Sequence, residues 1–177
     1  PCRSASGTHT NGDCELAAVS GDGRYVFFSS DGSNVHPDVP DAPVNWNQIY
    51  RRDLVTGALT YVTRSAAGGV ASNGATGATA IAVDADGSRA VFHSASAELV
   101  AGDTNNVTDV FLWDAVAGIT RINLRADGTQ ATVAPADRPY ISGDGEWVVF
   151  AHGAGNLVAG DTNGVVDLFL YRVSTGA

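Results

Sequence analysis

The feature that most constrains this chain is that it repeats itself. Residues 19–28 read VSGDGRYVFF, 83–92 read VDADGSRAVF and 141–150 read ISGDGEWVVF. Each is an apolar residue, a tight turn carrying Asp-Gly, and a β-prone run that ends in Phe. The turns sit at Asp22, Asp86 and Asp144, a period of about 60 residues, and self-similarity at such a period marks a repeat architecture. A second stretch recurs with it. RRDLVTGALTYVTRSAAGG (51–69) matches WDAVAGITRINLRADGT (113–129), and YRVSTGA (171–177) starts the same pattern again.

Each copy holds four short candidate strands. In the middle copy they are TYVTRSA (60–66), ATAIAVD (78–84), RAVFHSA (89–95) and DVFLWDA (109–115), while GITRINL (118–124) opens the next copy. Asp-Gly, Asn-Gly and Thr-Gly pairs separate them, the chemistry of hairpin turns. Four antiparallel strands per repeat with no helical periodicity between them predict a β-propeller blade, whereas a β-sandwich does not demand this recurrence. The expected fold class is therefore all-β: one domain over 1–177 made of three blade equivalents, at about 2–60, 61–118 and 119–177. Val26, Phe28, Ile49, Ile81, Val91, Phe111, Val148, Phe150 and Phe169 are expected to face the packed interior.

Composition narrows the function. Hydrophobic residues make up 44% and charged residues 16%, with six Phe, five Tyr and three Trp, which excludes disorder, collagen and coiled coil. The net charge is −9, and all ten cations are Arg. Ten scattered arginines against 19 acids cannot form the basic stripe that nucleic acid or an anionic membrane requires. No apolar run approaches the ~18 residues of a membrane span. The absence of Met implies a processed chain or a fragment.

The recurring SGDGRYVFFSS, NLVAGDTNGVVDLFLYR, Thr-Gly turn and following TR resemble the TolB-type (WD40-like) β-propeller repeat of exported bacterial proteins. The resemblance spans essentially the whole chain in three copies. It implies a propeller and a secreted, extracellular or periplasmic location. On activity it says little, because that family includes partner-binding proteins, sensors and accessory domains of hydrolases.

Residues 2–13 (CRSASGTHTNGD) align with 63–75 and with 120–132, so the chain begins inside a repeat with a segment expected to be a blade-closing strand, and its last strand precedes such a position. A propeller needs at least ~4 blades. Three blades therefore belong to a longer propeller, pair as two chains in a six-bladed ring, or grow head to tail by strand donation. Cys2 and Cys14, 12 positions apart, read as a disulfide of an oxidising compartment, with two free thiols as the other reading.

The leading candidate site is the loop GDTNNVTD (102–109), repeated as GDTNGVVD (160–167). Asp103, Asn105 and Asp109 recur as Asp161, Asn163 and Asp167, placing oxygen ligands at i, i+2 and i+6 around a turn, a pattern suited to Ca2+. The competing reading has the first Asp of each set making an Asx turn and the last capping a strand start. In the first repeat an insertion, HPDVPDAPVNWNQ (36–48), puts Gln48 where Asp109 stands, and Trp46 at its end is a candidate contact. His9, His36, His93 and His152 occupy four different repeat positions, with only His93 and His152 expected to share a surface, and no catalytic constellation emerges. The sequon Asn106-Val107-Thr108 falls within the repeated turn and is read as incidental. The expected function is a non-enzymatic extracellular scaffold that binds copies of itself, with a segment of a larger exported hydrolase or lyase as the alternative.

Overall fold

In a computed structural model, described for residues 2–38, 47–71, 81–125, 127–154 and 157–177, every regular element is a strand. Trp46 and the start of the expected strand 78–84 lie outside the described residues. Blade 1 is an antiparallel sheet of β1 (Cys14–Val19), β2 (Tyr25–Ser30), β3 (Gln48–Asp53) and β4 (Leu59–Tyr61), in that order. Blade 2 repeats it with β5 (Ile81–Val83), β6 (Arg89–Ser94), β7 (Asp109–Asp114) and β8 (Gly118–Arg121). Blade 3 has β9 (Tyr140–Ile141), β10 (Trp147–His152) and β11 (Asp167–Arg172), with β11 at its edge.

The Asp-Gly turns are built alike. Asp22, Asp86 and Asp144 each accept the backbone N–H two residues on, at 2.9, 2.9 and 3.0 Å. The glycines that follow have φ of 73°, 68° and 69°, a region that a side chain rarely enters. The two middle strands of each sheet then pair in one register, so that Phe28 meets Tyr50, Phe92 meets Phe111 and Phe150 meets Phe169. The ring centroids are 5.6, 5.9 and 5.8 Å apart, stacked arrangements worth about 0.5–1.5 kcal/mol each beyond the area they bury.

Strand grouping differs in phase from the sequence expectation. Gly118–Arg121 closes the blade of Phe111 instead of opening the next, and Leu59–Tyr61 likewise belongs to blade 1. The reason is loop length: Asp114 and Gly118 bracket a tight hairpin in which Asp114 accepts the N–H groups of Val116 and Ala117. The segments after β4 and β8 instead cross to the face of the following blade. Residues 2–13 correspond to these crossing segments and not to a closing strand. They carry only an isolated bridge, Arg3 to His9, as Arg64 pairs with Val70 and Leu124 with Gln130. Ser4 N–H bonds to the Thr8 carbonyl at 2.8 Å around Gly7, so the segment satisfies itself as a turn. Cys2 and Cys14 are disulfide-bonded and anchor it to β1.

Blades pack through two apolar layers. Phe27, Ile49 and Val62 meet Phe92, Leu99 and Trp113 between blades 1 and 2, and Val91, Val110 and Ile122 meet Phe150, Leu157 and Phe169 between blades 2 and 3. The expected core residues lie in or against these layers or the smaller one around Phe28 and Tyr50. Backbone bonds from Asp22 N to Ala85 O (2.8 Å) and from Ala85 N to Gly143 O (2.9 Å) tie the three inner ends together. The sheets do not close into a ring.

Candidate functional site

Asp103, Asn105 and Asp109 come together, as the spacing implied, where the loop before β7 meets the end of β8. Asn105 Nδ2 donates to Asp109 Oδ2 at 2.9 Å and to the Ala131 carbonyl at 3.1 Å, while its Oδ1 accepts the Val107 N–H. A guanidinium stands among the carboxylates. Arg121 Nη1 lies 2.9 Å from Asp103 Oδ1, as an ion pair lacking hydrogen-bond alignment, and 3.4 Å from Asp109 Oδ2. It also donates to Gln130 Oε1 at 3.0 Å, and that oxygen accepts the Thr104 and Asn105 N–H groups. The other Asp109 oxygen accepts from Asn123 Nδ2 at 2.7 Å. All three charged side chains are more than nine-tenths buried. Burial and the neighbouring Asp109 push the Asp103 carboxyl up, and Arg121 draws it back.

Blade 1 performs the same closure without charge. Gln48 Oε1 accepts from the Tyr61 hydroxyl at 2.9 Å and the Thr63 hydroxyl at 2.7 Å, and Gln48 Nε2 donates to the Ala71 carbonyl at 3.0 Å. One glutamine thus does what Asp109 and Asn105 do jointly in blade 2. Tyr61 and Thr63 stand where Arg121 and Asn123 stand. Their two-residue spacing puts both on one side of a strand, a signal present in the matched stretches TYVT and TRIN but silent about its partner until the sheet register is known.

Blade 3 has half of this arrangement. Asn163 Nδ2 orients Asp167 Oδ2 at 2.8 Å and Asn163 Oδ1 accepts the Val165 N–H at 3.0 Å, matching blade 2. Among the described residues no cation pairs with Asp161 or Asp167. No group of three or more His, Cys, Asp or Glu converges among the described residues.

His93 and His152 do lie near one another, but inside the blade 2 to blade 3 interface, at 5% and 0% exposure. His152 Nδ1 accepts the Ala154 N–H at 3.0 Å, and its Nε2 is 3.4 Å from Asn123 Nδ2. Burial pushes His93 down to about 4, with His152 adding to the shift and Asp137 opposing it. Burial lowers His152 too, against the pull of Asp109. His9 and His36 sit apart from this pair; His36 Nδ1 accepts the Asp38 N–H at 3.1 Å.

The fold is similar to that of solved structures. A prolyl endopeptidase structure matches at 12% identity over 94% of this chain and 21% of its own length, with a TM-score of 0.52. The fold is that of a β-propeller. TolB from Acinetobacter baumannii is similar at 19% identity over 96% of this chain and 32% of its own (TM-score 0.49), and an oligogalacturonate lyase from Vibrio parahaemolyticus at 13% over 92% and 36% (TM-score 0.49). The propeller blades of this chain thus span about a fifth to a little over a third of the length of these structures. No protein-family model matches the sequence, and no curated protein does. Among the described residues no helix is long and apolar enough to cross a membrane.

Proposed function

We propose that this chain is a binding propeller and not a catalyst, exported and oxidised, whose blades associate head to tail with those of a second copy. One observation carries the reading. Val110 and Leu112 of blade 2 are 0% and 5% exposed beneath blade 3, whereas Leu168 and Leu170, which hold the same register positions in blade 3, are 77% and 59% exposed. A face built to be covered lies open. Blade 1 of a second copy, with its crossing segment stapled at Cys2 and Cys14, presents the surface that stands to blade 3 as blade 3 stands to blade 2. Such an apolar contact continues an interface that already exists twice in the chain.

Calcium is not needed for this reading, because in blade 2 the countercharge expected from a metal is supplied by Arg121. In blade 2 the Asp and Asn loop acts as a clamp on the outer strand, β8. Light scattering tests the association. A mass at a multiple of 18.1 kDa is expected, falling to the monomer in a Leu168→Asp, Leu170→Asp variant. The short span relative to the solved structures favours a second reading, a segment of a larger exported hydrolase or lyase; a wild-type monomer insensitive to both substitutions would select it.

A further inference from the structure

The turn between the first two strands of each blade differs at one position. In blades 1 and 3 it opens on serine. Ser20 Oγ donates to Asp22 Oδ1 and accepts the Tyr25 N–H at 2.9 Å, and Ser142 Oγ donates to Asp144 Oδ1 and accepts the Trp147 N–H at 2.9 Å. The hydroxyl thus relays a bond from the following strand to the turn aspartate. Blade 2 has Asp84 at this place. Its carboxyl accepts the Arg89 N–H, the counterpart of the Tyr25 and Trp147 groups, and lies in hydrogen-bonding contact with Asp86, the counterpart of Asp22 and Asp144. Asp86 Oδ1 accepts the Ser88 N–H at 2.9 Å.

A carboxylate cannot take over the role of the serine. It has no proton to give Asp86, and two anions would meet where Asp84 is only 3% exposed. Asp84 Oδ2 accepts from the Ser88 hydroxyl at 2.9 Å, but the buried Oδ1 has no hydrogen-bond partner among the described residues. The facing cations are engaged elsewhere. Arg89 Nε donates to Asp114 Oδ2 at 2.9 Å and its Nη1 to the Gly145 carbonyl at 3.1 Å, while Arg51 Nη1 donates to the Gly87 carbonyl at 3.0 Å. Asp22 of the blade 1 turn faces Asp86 with a further negative charge, and Glu146 of the blade 3 turn faces Arg89.

We infer that Asp84 carries a proton in the folded protein and donates it to Asp86 where the other blades use a serine hydroxyl, making the pair a pH-sensitive latch between blades. Burial pushes the Asp84 carboxyl up, and Asp86 adds to this against the pull of the Arg89 N–H and the Ser88 hydroxyl. Asp86 itself is drawn down, first by the Ser88 hydroxyl, so the proton stays on Asp84. Ala85 lies between the two carboxyls. It accepts the Asp22 N–H at 2.8 Å and donates to the Gly143 carbonyl at 2.9 Å, the bonds that tie the three inner ends. Ionisation of Asp84 sets adjacent anions against each other on either side of Ala85 and loosens both ties. An aspartate in the unfolded chain titrates near ~3.9, so this contribution is fully present below that pH and is lost as pH rises through the folded value. A buried histidine acts with the opposite sign.

The test follows melting temperature against pH for wild type, Asp84→Ser and Asp86→Asn. Asp84→Ser restores the relay of the other blades, and the amide introduced by Asp86→Asn donates to Asp84 without a titrating proton. Both variants should gain on wild type as pH rises from about 4 to about 8, reaching about 2–4 °C, the shift that one hydrogen bond gives in a domain of this size. His93 and His152 are common to all three proteins and cancel. In wild type the carboxyl carbon resonance of Asp84, assigned by its loss in Asp84→Ser, should titrate above ~3.9, and protection of the Asp22 and Ala85 amides against exchange should fall over the same range. A resonance that titrates at or below ~3.9, or a melting difference that does not change with pH, overturns the proton on Asp84. Unchanged protection of those two amides overturns the latch.

Discussion

Asn123 Nδ2 lies 2.7 Å from Asp109 Oδ1, the same distance at which the Thr63 hydroxyl meets Gln48 Oε1 one blade earlier. In both blades the residue just beyond the outer strand locks onto the first residue of the strand inside it. The bond closes each hairpin at its far end, where the crossing segment leaves for the next blade. Charge differs between the two copies while the closure persists, through three exchanges: Gln for Asp, Tyr for Arg and Thr for Asn.

Arg121→Gln should be among the most costly single changes in this protein. It leaves Asp103 and Asp109 buried without a countercharge, a loss of about 3–5 kcal/mol by the behaviour of broken buried pairs. Urea denaturation reads it directly. Transplanting the neutral clamp as Asp109→Gln, Arg121→Tyr and Asn123→Thr, with Asp103→Asn to remove the remaining buried carboxylate, should recover more than half of the loss. Failure of this quadruple variant to exceed the single one would show that the blades do not share this device.

Stability should fall on mild acidification. An imidazole in the unfolded chain titrates near ~6.5, whereas folded His93 is pushed down to about 4. Between those values the unfolded state binds more protons, so this contribution is fully present above about pH 6.5 and is lost as pH falls toward 4, by up to about 3 kcal/mol. Burial of His152 acts with the same sign. His93→Gln should flatten the slope of melting temperature against pH in that window. A parallel slope in the variant assigns the effect to other groups.

Chelation should leave the melting temperature unchanged. A ligand that binds only the folded state raises stability by about 2.7 kcal/mol at a hundredfold excess over Kd, so a bound calcium ion at the Asp and Asn loops would be visible in a scan with and without chelator. A drop on chelation would restore the metal to the Asp161, Asn163 and Asp167 set, which pairs with no guanidinium among the described residues.

Reduction should act on blade 1 first. The Cys2 to Cys14 bond closes a short loop and holds the crossing segment over Phe28 and Tyr50, which are 3% and 0% exposed. A Cys2→Ser, Cys14→Ser variant is expected to lose about 2–3 kcal/mol and to gain hydrogen exchange in β2 and β3 ahead of β10. Uniform loss of protection across the three blades would contradict this.

The number of repeats, the four-strand unit, the Asp-Gly turns and the apolar positions were legible in the sequence, because each is a local pattern of period 2 or a turn whose chemistry is written in adjacent residues. The convergence of Asp103, Asn105 and Asp109 was legible for the same reason. Their partner was not. Arg121 reaches Asp109 only because β8 folds back on β7 with Phe111 opposite Arg121, a register that depends on the tight turn between Asp114 and Gly118. Tertiary structure likewise moved each outer strand into the preceding sheet, turned residues 2–13 from a strand into a covering segment, and buried His93 and His152 between blades. Those outcomes rest on which sheet lies beside which, and the pairing of distant segments leaves no periodic trace in the chain.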